Sequence, residues 1–201
     1  MANRDTHFET LLAQCRGPMT YTTPMVRRLR EVPPGKTMTR RVITNLTQNR
    51  RGGWSWKRHA GKRTYYGTFG SRATEALREF LLNHARFAPG DLAYVAEGIR
   101  DERGKAAYVA DGRQVVMFAN TVPWQWKPSV LPSRFMRKEF ARQILRIDEV
   151  RAERVQEITE ADAIAEGFAS RDEFLAYYAT LYSKAGNCWN FVYRFHEVAR
   201  R

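Results

Sequence analysis

The sequence predicts an α+β fold in which short strands form a small barrel and helices pack outside it. Three observations predict it. A meander of short strand-like runs occupies Leu92 to Phe118, an aromatic strand closes the chain from Trp189, and helix-opening motifs lie between them. In Trp189 to Phe195 the aromatics Trp189, Phe191, Tyr193 and Phe195 recur at period two, as on one face of a strand.

The elements follow in order. Thr6 with Glu9 resembles a capping box, and Phe8, Leu11, Leu12 and Cys15 recur at helical spacing until Gly17 and Pro18 stop the pattern. Thr23 followed by Pro24 reads as an N-cap and first helical residue, with Val26 and Leu29 on one face; Pro33 and Pro34 end that helix. Ser71 is placed to cap a helix with Leu77, Phe80 and Leu81 on one side, running to about Ala85. After the turn Pro89, Gly90, Asp91 come runs at Leu92–Glu97, Ala106–Ala110 and Gln114–Phe118, the last two joined at Asp111 and Gly112. Thr121 to Pro132, with three prolines and two tryptophans, reads as a loop over a core edge. Ile144 to Val150, then Val155 and Ile158, suggest strands flanking a bend. Thr159 with Asp162 and Ser170 with Glu173 open two further helices.

The 201 residues suit one domain, residues 1–201. Hydrophobic residues at 43% supply a core, and charged residues at 27% exclude a wholly disordered or collagen-like chain. The longest uncharged stretch, Gln114 to Trp126, is too short and too polar for a membrane span. Charges appear from Arg4 onward without an apolar leader, so a cytoplasmic location is expected. Two cysteines, Cys15 and Cys188, make neither a disulfide framework nor a zinc set, and His59, His84 and His196 lack metal spacing. No metal or nucleotide cofactor is expected.

Charge is unevenly spread. Of a net +13, residues 26–72 hold thirteen basic side chains against the single acidic Glu31, the footprint expected of a phosphate-binding surface. Residues 45–87 read as an insertion. Within it Arg50, Arg51, Trp54, Trp56, Lys57, Arg58, Lys62, Arg63, Tyr65 and Tyr66 interleave cations with rings on a hairpin turning near Ala60 and Gly61. Single-stranded nucleic acid suits such a pattern, with bases stacking on rings while the backbone follows the charge. The same pattern also fits a hairpin whose aromatics cover its own turn or the barrel.

The order of motifs resembles the ASCH domain family, most closely its phage-encoded members. The residues that carry this are Met25 and Val26, Gly35 to Ile43 (G-K-T-M-T-R-R-V-I), Pro89 to Glu97 (P-G-D-L-A-Y-V-A-E), Asp148 to Arg154, and Ile158 to Gly167. Tyr94 stands where the family usually has tryptophan, and Gly98 where threonine is common. The resemblance implies a PUA-like fold, a small β-barrel with flanking helices and a cavity that relatives use for RNA or a modified nucleoside. Some relatives are N4-acetylcytidine amidohydrolases with a Lys-x-x-Thr pair and a glutamate; another is described as a ribonuclease.

By that resemblance Lys36, Thr39 and Glu97 are the candidate catalytic residues, and RNA, single-stranded nucleic acid or a modified nucleoside the expected partner. Chemically, residues three apart share a face only on a helix or tight turn, so the pair requires a turn. Threonine needs a neighbouring base, which an amine becomes only when its pKa falls; burial and the neighbouring Arg40 and Arg41 act in that direction, and a glutamate acts against it. Glu97 then orients the lysine or handles the leaving group's proton. Arg40 and Arg41 are candidates for phosphate or pocket-wall contacts, or equally for surface arginines. The resemblance thus implies hydrolysis of an amide on a base such as N4-acetylcytidine, by Thr39 assisted by Lys36 and Glu97; a non-catalytic module that reads shape or a modified base, and a ribonuclease, are the alternatives.

Overall fold

In the computed structural model the described elements are α1 (Ala2–Gln14), β1 (Gly17–Thr20), α2 (Thr23–Leu29), β2 (Met38–Val42), β3 (Leu46–Gln48), β4 (Trp54–Ala60), β5 (Arg63–Phe69) and α3 (Thr74–Leu82). They continue with β6 (Leu92–Ala96), β7 (Ile99–Glu102), β8 (Lys105–Tyr108), β9 (Val116–Met117), β10 (Asn120–Thr121), β11 (Val130–Leu131), β12 (Gln143–Arg154), α4 (Glu160–Ala165), α5 (Arg171–Leu181) and β13 (Trp189–Arg200). The description covers residues 2–31, 35–60, 63–117, 119–182 and 188–201, without the side chains of 2–5, 59, 60, 63 and 65. The expected helix stop at Pro33 and Pro34, the hairpin tip at Gly61 and Lys62, and the side chains of Arg63 and Tyr65 lie outside it.

The chain divides into two compact units. Unit 1 comprises Met1–Thr37, Pro89–Asp148 and Phe195–Arg201; unit 2 comprises Met38–Ala88 and Glu149–Arg194, and so holds the whole 45–87 insertion.

In unit 1, β6 is the central strand. All five of its residues are buried, as a continuous apolar run with both faces covered requires. β1 pairs parallel to it (Gly17 opposite Ala93) and the first part of β12 antiparallel (Ile144 opposite Tyr94). Pro18 fits β1 because an edge strand tolerates a missing N–H. A second sheet, β11-β7-β8, contains a hairpin that turns at Arg103 and Gly104, both at positive φ, as a two-residue type I′ turn demands. Phe8, Leu12, Ile99, Val115, Phe140 and Ile144 form the core, and Trp124 and Trp126 of the 121–132 segment pack on it as expected.

In unit 2, the first half of β13 pairs antiparallel with β2, from Asn190 opposite Val42 to Arg194 opposite Met38. The insertion forms the sheet β3-β4-β5 with α3. Leu77, Leu81, Trp54, Trp56 and Trp189 make a second core. Thr159 and Ser170 cap α4 and α5 by accepting from the backbone N–H of Asp162 and Glu173, as the motifs predict.

The α+β class stands, but several local expectations change. No described sheet closes into a barrel; β9, β10 and β11 have two residues each, too few for the staggered ladder that closure needs. Thr6 lies inside α1 instead of capping it. Thr22, not Thr23, precedes α2, and α3 begins at Thr74 after Ala73, leaving Ser71 outside. β12 continues unbroken to Arg154, and Val155–Glu157 is a single 3-10 turn where a second strand was expected.

Candidate functional site

Glu97 directly follows β6 and is 1% exposed. A lone buried carboxylate would be costly, and two arginines compensate it. Arg142 grips it bidentately, Nε to Oε1 at 2.8 Å and Nη2 to Oε2 at 2.8 Å, while Arg30 Nη2 donates to Oε1 at 2.7 Å. Asp111, from the turn after β8, completes the group: Arg142 Nη1 and Nη2 donate to it at 2.9 and 3.1 Å, and Arg30 Nη1 at 3.1 Å. The Arg142 guanidinium lies 3.6 Å from the centroid of Tyr108, whose hydroxyl donates to the Phe140 carbonyl at 2.6 Å.

Burial pushes the Tyr108 phenol up to about 12, partly offset by the Arg142 charge. Burial alone would raise Asp111, but hydrogen bonds from Arg142 and the Arg113 backbone N–H, with the charges of Arg142 and Arg30, hold it below the usual carboxylate range. Burial lowers Arg30, opposed by Glu97. Three guanidinium donors occupy both Glu97 oxygens, so this carboxylate is arranged as a fixed acceptor, which argues against the expected role in handling a leaving-group proton.

Lys36 is also buried in unit 1, its ammonium 5.9 Å from the Tyr21 ring centroid. Thr39 is buried in unit 2, on β2 and opposite Tyr193. The turn required by the Lys-x-x-Thr spacing is not found: Lys36 and Thr37 are irregular backbone leading into a strand. β2 is extended there because its ladder with β13 runs from Met38 to Val42.

Arg40 departs furthest from expectation. Its guanidinium is surrounded by unit 2 carboxylates, with Nη1 to Glu166 Oε1 at 3.3 Å and Nη2 to Glu153 and Asp162, each at 3.1 Å. Asp162 and Glu166 are four apart in sequence and so project from one side of the α4 segment. A phosphate contact would have to break these pairs, so Arg40 is placed as a structural ion. Arg41 is half-buried.

The inserted sheet buries its tryptophans on one side. Trp54 and Trp56 share one side of β4, as their spacing predicts, but that side is buried: Trp54 meets Trp189 at 6.2 Å and Trp56 meets Phe80 at 5.1 Å between ring centroids. Gly67 lies opposite Trp56, and a Cβ there would come within 3.1 Å of Phe80. Neither tryptophan is an exposed stacking platform. On the other side Lys57 pairs with Tyr66, which is 71% exposed, the ammonium 5.8 Å from the ring. Arg50, Arg51, Lys57, Arg58 and Arg72 are exposed around this sheet.

The residues missed from sequence are Arg30, Asp111, Arg142 and Tyr108. The available signal was weak: an arginine at the threshold of the apolar run Ile144, Leu145, Ile147. Among the described residues no His, Cys, Asp and Glu cluster is arranged to hold a metal, and no helix is long and apolar enough to cross a membrane. In comparisons with known proteins the chain matches no family model, no curated protein and no solved structure.

Proposed function

We propose that this chain is a nucleic-acid-binding protein of the ASCH, PUA-like kind, and that the inserted sheet β3-β4-β5 of unit 2 is its contact with single-stranded RNA or DNA. The observation that carries this reading is that Lys57 and the exposed ring of Tyr66 stand opposite one another on the outer face of that sheet, with Arg50 and Arg51 exposed in the turn before β4 and Arg58 exposed next to Lys57 on the strand. The cations follow the phosphates and Tyr66 offers a ring for one base.

A second reading keeps a modified pyrimidine as substrate. It rests on Lys36 and Thr39 each being buried, since an amine that serves as base and a threonine that attacks an amide both need shelter from water, but the turn that would bring the two to one face is not found. The geometry of Glu97 limits it: with both oxygens held by arginines, Glu97 contributes fixed charge, and the proton must travel by another group.

One set of measurements separates the readings. Binding of a single-stranded oligonucleotide is followed against salt for the wild type and for the combined Arg50→Ala, Arg51→Ala, Lys57→Ala and Arg58→Ala protein, and both are incubated with N4-acylated cytidines while product masses are read. Each lost phosphate contact removes about 0.7 from the slope of log affinity against log salt. A flattened slope supports the proposal, and an identical slope in the two proteins rejects it. Amide loss abolished by Thr39→Ala establishes the second reading.

A further inference from the structure

Unit 1 contains a cleft of about 620 Å³ beside the Glu97 ion network, a volume typical of small-molecule sites. Arg142, Tyr108, Arg113, Gln114, Arg201 and Glu9 are among its lining residues. Arg142 uses four of its five N–H donors on Glu97 and Asp111 and lies against Tyr108, which fixes a flat cationic surface in the wall. Removing any one partner would leave an uncompensated buried charge, so the network holds this part of the wall in one arrangement.

The charges around the cleft nearly balance. Arg30 and Arg142 match Glu97 and Asp111, and Arg201 bonds Glu9 at 2.5 Å. Arg113 is the surplus: it is 78% exposed in its side chain, and its nearest described carboxylate, Asp111, is 3.9 Å away. Gln114 next to it offers both a donor and an acceptor.

We propose that this cleft binds a small organic oxyanion, a phosphate monoester or carboxylate on a flat body, with the anionic head at Arg113 and the body against the wall formed by Arg142 and Tyr108. The site belongs to unit 1, the inserted sheet to unit 2, and they share no residue, so it stands or falls independently of nucleic-acid binding.

The test is equilibrium binding of phenyl phosphate, benzoate, phenol and inorganic phosphate to the full chain. Phenyl phosphate, benzoate or both should bind at least about tenfold tighter than phenol, which lacks the charge, and than inorganic phosphate, which lacks the body. Whichever of the two binds identifies the head group. Arg113→Ala should weaken that anion about tenfold and leave phenol unchanged. Val116→Trp, at an exposed lining position, should block every probe without unfolding the protein. Equal affinity for phenol and the anions, indifference to Arg113→Ala, or no saturation by any probe up to about 10 mM would overturn the proposal.

Discussion

Arg30, Arg40 and Arg50 come from one basic quarter of the sequence, yet the first two are held inside ion networks and the third is exposed on the inserted sheet. What separates them is the carboxylate supply. Arg30 meets Glu97 and Asp111, and Arg40 meets Glu153, Asp162 and Glu166, all from distant parts of the chain, whereas around β3, β4 and β5 the sequence from Leu46 to Phe69 contains no acidic residue. A local charge count therefore overstates the footprint available to phosphate. On the inserted sheet the described cations Arg50, Arg51, Lys57 and Arg58 are all exposed and share one region.

The aromatic residues divide in the same way, and the largest expected effect tests that division. Trp56→Ala removes a buried ring between Phe80 and the second core, so it should cost about 3–5 kcal/mol of stability in chemical denaturation. Oligonucleotide affinity of the folded fraction should hold. A stability loss below about 1 kcal/mol, together with weaker binding at every salt concentration, would instead make Trp56 a stacking platform and reverse the assignment of faces.

Next comes the buried cation. Arg40→Met leaves Glu153, Asp162 and Glu166 facing one another, though Arg151 still bonds Asp162 and Glu153, so the loss should lie near about 3 kcal/mol. Arg40→Lys should recover little, because one ammonium cannot bridge three carboxylates as a planar guanidinium does. If Arg40→Met leaves the denaturation midpoint unchanged and lowers oligonucleotide affinity, Arg40 belongs with the exposed cations.

These contrasts also explain what the sequence could show. Thr159 and Ser170 were legible as caps because acceptor and donor are three residues apart, and the Trp189 strand because its period is local. The Arg103–Gly104 hairpin was missed because Ile99 to Glu102 lacks alternation and its turn lacks the usual Asn-Gly or Asp-Gly pair. The ion network could not be read at all: its pairs are 67, 45, 81 and 31 residues apart, and no local rule links an arginine to a carboxylate at such distances. The residues of the resemblance were found in order, but the arginines that decide what Glu97 can do were not among them.

The smallest expected effect concerns Asp111, the more exposed acid of the network. Its pKa is lower folded than unfolded, so its contribution to stability is fully present above the unfolded value of about 3.9 and is lost as pH falls through the folded value. Asp111→Asn deletes that contribution at neutral pH and has none to lose in acid. The stability gap between wild type and Asp111→Asn should therefore be widest near pH 7 and narrow steadily below about pH 4, read from denaturant midpoints across the range. Because Glu97 still pairs with Arg30 and Arg142 in the variant, the protein should stay folded and the comparison measurable. A gap that is constant down to pH 3 would mean that Arg30 and Arg142 hold Asp111 no more tightly when folded than when unfolded, and that Glu97 alone fixes the cationic wall of the cleft.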